Sequence, residues 1–156
     1  MDITYQINII NSYNEILNII TQYNNVFEPS LSDRGINLVE YSKKLYEKSI
    51  FIGMYSKNKF CIGFAAFYVN YETKKSYLAL FAIEKKYRHL GLGKELFNKF
   101  LSISKEKGMN EIELEVSKNN IEAINFYKKR GLIYLNKESK DSFYMGKSIV
   151  SNRKDF

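Results

Sequence analysis

The sequence predicts an α/β (α+β) fold in which one mixed, mostly antiparallel β-sheet is flanked by helices. Two segments with helical periodicity precede three strand-like segments, and beyond residue 90 helices and strands alternate. This order is typical of helices packed on a single sheet. Because 156 residues suit one domain, we expect residues 1–150 to form it and residues 151–156 to be a flexible polar tail.

The first half of the chain changes from helical to strand periodicity near residue 50. Residues 3–9 alternate weakly, as in a strand. Ser12 can cap a helix whose apolar positions continue at helical spacing to Phe27, and Pro29 and Gly35 interrupt the pattern. The following segments are predicted as a helix over 37–48 and as strands over 50–56 and 60–70.

The second half begins with a strand over 76–83 that is apolar on both faces, which predicts a central position in the sheet. A helix starts at Gly91 and stops at Gly108. Residues 111–116 then alternate cleanly as a strand. The remaining predicted elements are a helix over 120–130, ended by Gly131, and strands over 133–135 and 143–149.

Composition indicates a soluble cytoplasmic protein with no membrane partner. Cys61 is the only cysteine, so no disulfide forms within the chain, which fits a reducing compartment. The longest apolar run, residues 77–83, is far too short to span a bilayer, and residues 1–10 lack the apolar core of a signal peptide. The net charge of +7 suits a polyanionic partner such as nucleic acid or a nucleotide, but a solvated lysine-rich surface is the preferred explanation.

A glycine-containing segment lies between the central strand and the helix that follows. Two glycines one residue apart let the backbone turn tightly and expose successive N–H groups. These groups and the positive end of the helix dipole form an anion site, to which flanking basic side chains add charge. The segment consists of Arg88, His89, Leu90, Gly91, Leu92, Gly93 and Lys94.

The residues after these glycines exclude two nucleotide-binding motifs. A Rossmann fingerprint needs a small residue three positions after Gly93, where Leu96 stands. A Walker loop needs Ser or Thr after the Gly-Lys pair, where Glu95 stands. For the segment taken alone, a plain strand–helix turn remains the alternative.

A second motif follows about 27 residues after Gly93. It contains Asn120, Ala123, Tyr127 and the pair Gly131-Leu132. In their order and spacing the two motifs resemble those of the GNAT acyltransferase superfamily. That family's pyrophosphate loop has the pattern R/Q-x-x-G-x-G/A, and its second motif is N-x-x-A-x-x-x-Y-x-x-x-G-F. Here leucine stands in place of the final phenylalanine, and the resemblance covers residues 76–132 best.

This resemblance implies a GNAT acyl-CoA transferase fold and an enzyme that moves the acetyl group of acetyl-CoA to a primary amine by direct attack. It implies that the loop over 88–94 binds the pyrophosphate. It also implies that backbone groups of Phe81, Ala82 and Ile83 bind the pantetheine and polarise the thioester carbonyl. The second motif supplies the remaining cofactor contacts, from Asn120, Ala123 and Tyr127.

Two residues are candidates for proton transfer. Tyr127 is the candidate general acid, since a phenol can reprotonate a thiolate; its alternative is a core aromatic on an amphipathic helix. Glu115 is the candidate base, because its segment resembles the subgroup that acetylates protein N-termini. By alternation Glu113 and Glu115 share a strand face, where both can be plain solvent-facing residues, and Glu84 is a weaker alternative base.

The acceptor is the least specified part of the prediction. The resemblance places its pocket at residues 27–35 with Tyr68, Asn70, Tyr71 and Glu72. This aromatic and polar set, without an acidic run, favours a small amine such as an amino sugar. A protein N-terminus is the alternative.

Other classes and partners are also constrained. A non-catalytic module that binds acetyl-CoA stays open. A nucleic-acid-binding domain is disfavoured because no helix-turn-helix or aromatic RNA-binding pattern is present, so we expect no nucleic-acid partner. No cluster of Cys, His and carboxylates has metal-ligand spacing, so we expect no metal. A monomer or a homodimer is expected.

Overall fold

The structure is a computed structural model that describes residues 3–150, and within them seven strands and four α-helices form. Two short 3-10 helices, Ser32–Arg34 and Lys85–Tyr87, lie between longer elements. The predicted tail over 151–156 lies outside the described residues. The elements are β1 (Tyr5–Ile9), α1 (Tyr13–Tyr23), α2 (Leu38–Lys48), β2 (Ile50–Ser56), β3 (Cys61–Asn70), β4 (Lys75–Ile83), α3 (Leu92–Glu106), β5 (Glu111–Ser117), α4 (Ile121–Lys129), β6 (Ile133–Glu138) and β7 (Ser142–Ser148).

The seven strands form one sheet in the order β1-β2-β3-β4-β5-β7-β6. The β1–β2, β2–β3, β5–β7 and β6–β7 pairs are antiparallel, and the β4–β5 pair is parallel. The predicted mixed, mostly antiparallel sheet flanked by helices is therefore confirmed. The central position of β4 is also confirmed, since three strands lie on each side of it.

The described residues divide into two compact units. The first comprises residues 3–68 and 80–100, and the second comprises residues 69–79 and 101–150. Strands β3 and β4 and helix α3 each contribute residues to both units. The single domain over 1–150 stays a prediction.

Aromatic packing organises the core of the first unit. The Phe64 ring stacks on Phe51 at 5.3 Å and meets the edges of Tyr23 at 5.0 Å and Phe27 at 6.3 Å. Such ring pairs add stabilisation beyond the area that they bury. The cluster around Phe64 buries apolar side chains of α1, α2 and strands β2 to β4, among them Ile16, Ile19, Ile20, Leu45, Cys61, Ala66, Leu80 and Ala82.

Helix α1 is held at both ends by polar contacts. The Ser12 hydroxyl caps it by accepting from the Glu15 N–H at 3.2 Å. The Glu15 carboxylate accepts a hydrogen bond from the Tyr55 hydroxyl of β2. At the other end Tyr23 donates its hydroxyl to the Cys61 carbonyl at 2.9 Å. These bonds attach α1 to the sheet, and the cap at Ser12 is the predicted one.

The prediction that this helix continues to Phe27 is wrong, because α1 ends at Tyr23. The side chain of Asn24 turns instead towards Ser32, donating to its Oγ and accepting from its N–H, each at 2.9 Å. An asparagine side chain that bonds the backbone competes with helix formation.

In the second unit, β5 lies between β4 and β7. A Cβ built at Gly146 of β7 would lie 2.6 Å from the Ile112 carbonyl oxygen of β5, so only glycine fits this crossing. The β6–β7 hairpin differs from the prediction, because β6 extends to Glu138 rather than ending at Leu135. The extension is accommodated by an irregularity in register between Tyr134 and Glu138.

We expect Phe64→Ala to lower the free energy of unfolding by about 3–5 kcal/mol, because it leaves a cavity among three aromatic rings. Phe60→Ala is the matched control: Phe60 lies in the hairpin before β3 with 39% of its surface exposed, so its loss is expected to cost within about 0.5 kcal/mol. Urea unfolding followed by circular dichroism measures both, and equal losses would contradict the aromatic core.

Candidate active site

The loop between β4 and α3 is attached to the sheet at its start. The Glu84 N–H donates to the Ile62 carbonyl of β3 at 2.8 Å, which continues the ladder one residue past β4. After the 3-10 turn, Arg88 reaches back and its Nε donates to the Ile83 carbonyl at 3.0 Å. Arg88 therefore closes the loop on the end of β4, in addition to carrying positive charge. Glu84, the weaker candidate base, lies half-buried at this turn.

Two residues of the loop adopt left-handed backbone conformations, His89 with φ 63° and Gly91 with φ 81°. The first main-chain bond of α3 runs from the Glu95 N–H to the Gly91 carbonyl at 3.3 Å. The N–H groups of Leu92, Gly93 and Lys94 thus lie in the first helical turn, where a helix offers no acceptor. Alternating left-handed residues before a helix N-terminus form a concave array of N–H donors that suits an anion.

Space is available beside this array. A Cβ built at Gly91 meets no atom within 4 Å, so the backbone is open on that side. Leu90 and Lys94 are exposed, whereas Leu92 is buried and fixes the first turn of α3 on the core. The binding of an anion by residues 88–94 stays a prediction.

The end of β4 lies unusually close to β3. A Cβ built at Gly63 would stand 2.6 Å from Ile83 Cδ1 and 3.0 Å from the Ala82 carbonyl oxygen. A larger residue at position 63 would thus crowd two of the three residues predicted to bind the pantetheine. The third, Phe81, packs against the Phe97 ring of α3 at 6.0 Å.

In the second unit, the residues of the second motif fix both ends of α4. Asn120 is the N-cap, one residue before the helix, and its Oδ1 accepts from the Ala123 N–H at 3.1 Å. At the other end Gly131 has φ 92°, and the Leu132 N–H donates to the Tyr127 carbonyl at 3.1 Å. This is the Schellman type of C-cap. The predicted contact of Asn120 with the cofactor stays a prediction. Because Oδ1 is used in the cap, we expect the Nδ2 group to make this contact.

The Tyr127 side chain is buried in the second unit, with 8% of its surface exposed. Burial raises the pKa of its phenol, because the charged phenolate loses solvation. The hydroxyl therefore stays protonated throughout the neutral and moderately alkaline range. Ala123, one turn earlier on α4, is half-buried.

The two carboxylates on one face of β5 differ in their surroundings. Glu113 lies 2.7 Å from the Lys137 ammonium and 3.7 Å from that of Lys75, with 11% of its side chain exposed. Glu115 is exposed, and within residues 3–150 it makes no ion pair. The sequence left open whether the two carboxylates have similar surroundings. In the structure Glu113 is paired with lysines and Glu115 is exposed to solvent.

The β4–β5 pairing ends at Leu78 opposite Leu114, immediately before Glu115. On its other side, Glu115 lies directly opposite Tyr144 of β7. Tyr144 and Lys137 did not stand out in the sequence, because their relation to β5 depends on the register of a distant hairpin.

The predicted acceptor residues belong to both units. In the first, Phe27 and Tyr68 pack against the aromatic core, and the Lys44 ammonium lies 5.9 Å from the Tyr68 ring centroid. In the second, Asn70 forms the turn after β3, because its Oδ1 accepts from the N–H groups of Glu72 and Thr73 at 3.0 and 3.2 Å. Asn70 thus has a structural role, and the acceptor site as a whole stays a prediction.

Comparison with known proteins identifies the family. Residues 13–132 match the model of the acetyltransferase (GNAT) family, and the chain therefore belongs to it. The predicted superfamily is confirmed, and with it the predicted class of enzyme, an acetyltransferase.

Individual relatives are more distant. The chain is 37% identical over 59 residues to N-alpha-acetyltransferase 30 of Schizosaccharomyces pombe (strain 972 / ATCC 24843). This match covers 38% of the chain and 39% of the relative, so the chain spans about two-fifths of the length of the curated relative it matches.

Solved structures share the fold over most of the chain. The PaiA N-acetyltransferase from Thermoplasma acidophilum, in complex with coenzyme A, aligns with a TM-score of 0.75, 21% identity and coverage of 93% of this chain and 99% of that one. The ribosomal-protein-S18-alanine N-acetyltransferase from Escherichia coli aligns with a TM-score of 0.75, 17% identity and coverage of 98% and 99%. At these identities the likeness establishes the fold.

Two further features of the described part of the chain concern metal binding and membrane spans. Between residues 3 and 150, no group of three or more His, Cys, Asp and Glu side chains is arranged to hold a metal ion. In the same range, no helix is both long enough and apolar enough to cross a membrane.

We expect Gly91→Glu to weaken CoA binding at least about tenfold, since a carboxylate beside the amide array repels phosphate. Gly108→Glu is the matched control, because Gly108 has φ 82° against 81° at Gly91 and also has no atom within 4 Å of a built Cβ. Both variants carry the same backbone strain and charge. Titration calorimetry with CoA measures the difference, and equal affinities would refute the anion site.

Proposed function

We propose that this protein transfers the acetyl group of acetyl-CoA to a primary amine by direct attack, without an acetyl-enzyme intermediate. The observation that carries the proposal is the array of main-chain amides over 88–94, open beside Gly91 and placed at the start of α3. Such an array suits the pyrophosphate of CoA. Membership of the acetyltransferase family supplies the reaction class.

The reaction replaces the C–S bond of the thioester with a C–N bond, and it requires two proton transfers. The neutral amine nitrogen attacks the thioester carbonyl carbon, whose oxygen becomes an oxyanion held by main-chain N–H groups of β4. The C–S bond then breaks and CoA leaves as a thiolate. One proton passes from the amine nitrogen to Glu115, directly or through a water, and one passes from Tyr127 to the thiolate. Both residues exchange protons with solvent before the next turnover.

The surroundings of the two residues suit these roles. Burial raises the pKa of Tyr127, so its phenol is protonated at neutral and moderately alkaline pH and can donate a proton to the thiolate. Glu115 is exposed at the point where the β4–β5 pairing ends, and it carries no ion pair within residues 3–150. Glu113, by contrast, lies within ion-pair distance of two ammonium groups.

The acceptor we propose is a small primary amine such as an amino sugar. The aromatic and polar residues of the predicted pocket support it, and no acidic run is present to select a polyamine. The second candidate is the α-amino group of a protein N-terminus. The 37% identity to N-alpha-acetyltransferase 30 over 59 residues favours this second candidate. A cytoplasmic location and a monomeric or homodimeric state remain part of the proposal.

Tyr127→Phe is expected to lower kcat by about 10²-fold while the Kd for CoA changes less than about twofold. The substitution removes one hydroxyl and keeps the buried ring. Release of the CoA thiol, followed with a thiol reagent, gives kcat, and titration calorimetry gives Kd. Unchanged turnover would show that another group protonates the leaving thiolate.

A panel of amines separates the two acceptor candidates. We expect kcat/KM for an amino sugar such as glucosamine to exceed that for short peptides with free N-termini by at least about tenfold, or about 1.4 kcal/mol of transition-state binding. An N-acetylated peptide and N-acetylglucosamine are the controls without an amine. The reverse ratio would select the protein N-terminus, and no thiol release with any amine would overturn the transferase proposal.

A further inference from the structure

Glu115 and Tyr144 form a cross-strand pair on the partly exposed face of β5 and β7. Their register is antiparallel and direct, so both side chains project from the same face of the sheet. Side chains opposite each other in an antiparallel pair have Cβ atoms about 4.5–5.5 Å apart, which brings the Tyr144 hydroxyl within reach of the Glu115 carboxylate.

Lys137 of β6 completes the arrangement. Its ammonium lies 5.0 Å from the Tyr144 ring centroid and 2.7 Å from a carboxylate oxygen of Glu113. Lys137 therefore contacts both neighbours of the pair: it forms an ion pair with Glu113, and it covers the Tyr144 ring that lies opposite Glu115. The charged groups facing this pair are Glu113 and Lys137, with Lys75 on the far side of Glu113.

The electrostatics agree with a donor role for the phenol. The negative charge of Glu115, then partial desolvation and hydrogen bonding with Glu115, raise the pKa of Tyr144, and Lys137 opposes the shift. Tyr144 therefore stays protonated when Glu115 is charged. A phenol in this state donates its proton to a hydrogen bond and does not compete for the proton of the substrate.

We propose that Tyr144 is the positioning residue for Glu115: its hydroxyl donates to one carboxylate oxygen and leaves the other oxygen directed at the acceptor amine. The inference rests on the proposed function, in which Glu115 accepts the amine proton. The proton moves from the amine nitrogen to the free oxygen of Glu115, and Tyr144 keeps its own proton throughout. Lys137 holds the tyrosine ring in place.

The substitution that isolates this role is Tyr144→Phe, which removes the hydroxyl and keeps the ring beneath Lys137. We expect kcat to fall about tenfold, as for the loss of one hydrogen bond to a charged group. The Kd for CoA should stay within about twofold of the wild-type value.

Tyr134→Phe is the matched control. Tyr134 lies on β6 of the same hairpin, and its ring contacts Phe143 at 4.8 Å and the Lys128 ammonium at 4.7 Å. The substitution removes the same atom from the same hairpin, away from Glu115. Its kcat should match that of the wild type, and a melting temperature for each variant confirms that both fold.

A double-mutant cycle with Glu115→Gln makes the test specific. If Tyr144 acts through Glu115, Tyr144→Phe lowers kcat in the wild-type background and has no further effect beside Glu115→Gln. A tenfold loss in both backgrounds, or an effect equal to that of Tyr134→Phe, would overturn the positioning role.

The cycle also distinguishes a failure of the positioning role from a failure of the proposed function. If Glu115→Gln lowers kcat and Tyr144→Phe does not, this inference fails and the proposed function stands. If Glu115→Gln leaves kcat unchanged, Glu115 is not the base and the inference fails with it. If the wild-type protein acetylates no amine in the panel, the proposed function itself is overturned.

Discussion

The main-chain amides in the first turn of α3 are the constraint on which the rest of the structure depends. A helix cannot supply acceptors for them, so they face either water or an anion. The chain reaches this geometry through two left-handed residues, His89 and Gly91, of which only the second is a glycine. Arg88 holds the loop by bonding the Ile83 carbonyl, and Gly63 lets β3 approach the same strand end. The strands and α3 thus hold one short loop in a fixed conformation.

The two sequence motifs of the family have different physical roles in this chain. The first is proposed as a ligand site made of main chain, and its residue types matter through the backbone conformations that they permit. The second defines a helix: Asn120 caps its start, while Gly131 and Leu132 form its C-cap. With both ends fixed, Tyr127 has a set position on α4, and its side chain is buried. Because the ends of this motif cap α4, asparagine and glycine, which are favoured at helix caps, occur at those positions.

The charged side chains on the exposed face of β5 distinguish Glu115 from Glu113 as the candidate base, and they contribute little to stability. Exposed ion pairs such as Lys118 with Glu138 stabilise a fold by less than about 1 kcal/mol. The pairing of Glu113 with Lys137 nevertheless distinguishes it from Glu115, two residues away on the same strand face. Both glutamates were visible in the sequence, and alternation alone gave no reason to prefer either. The lysines that separate them come from β4 and β6, which are distant from β5 in the chain.

The sequence by itself determined the features that depend on neighbours along the chain. Periodicity predicted the types and order of the elements, Ser12 marked the start of α1, and the paired glycines marked the loop before α3. Only the tertiary structure decided the end of α1, where Asn24 bonds Ser32 across a loop, and the register that sets Tyr144 opposite Glu115. The physical reason is that strand register is a non-local property: a slip of one residue moves every side chain to the other face.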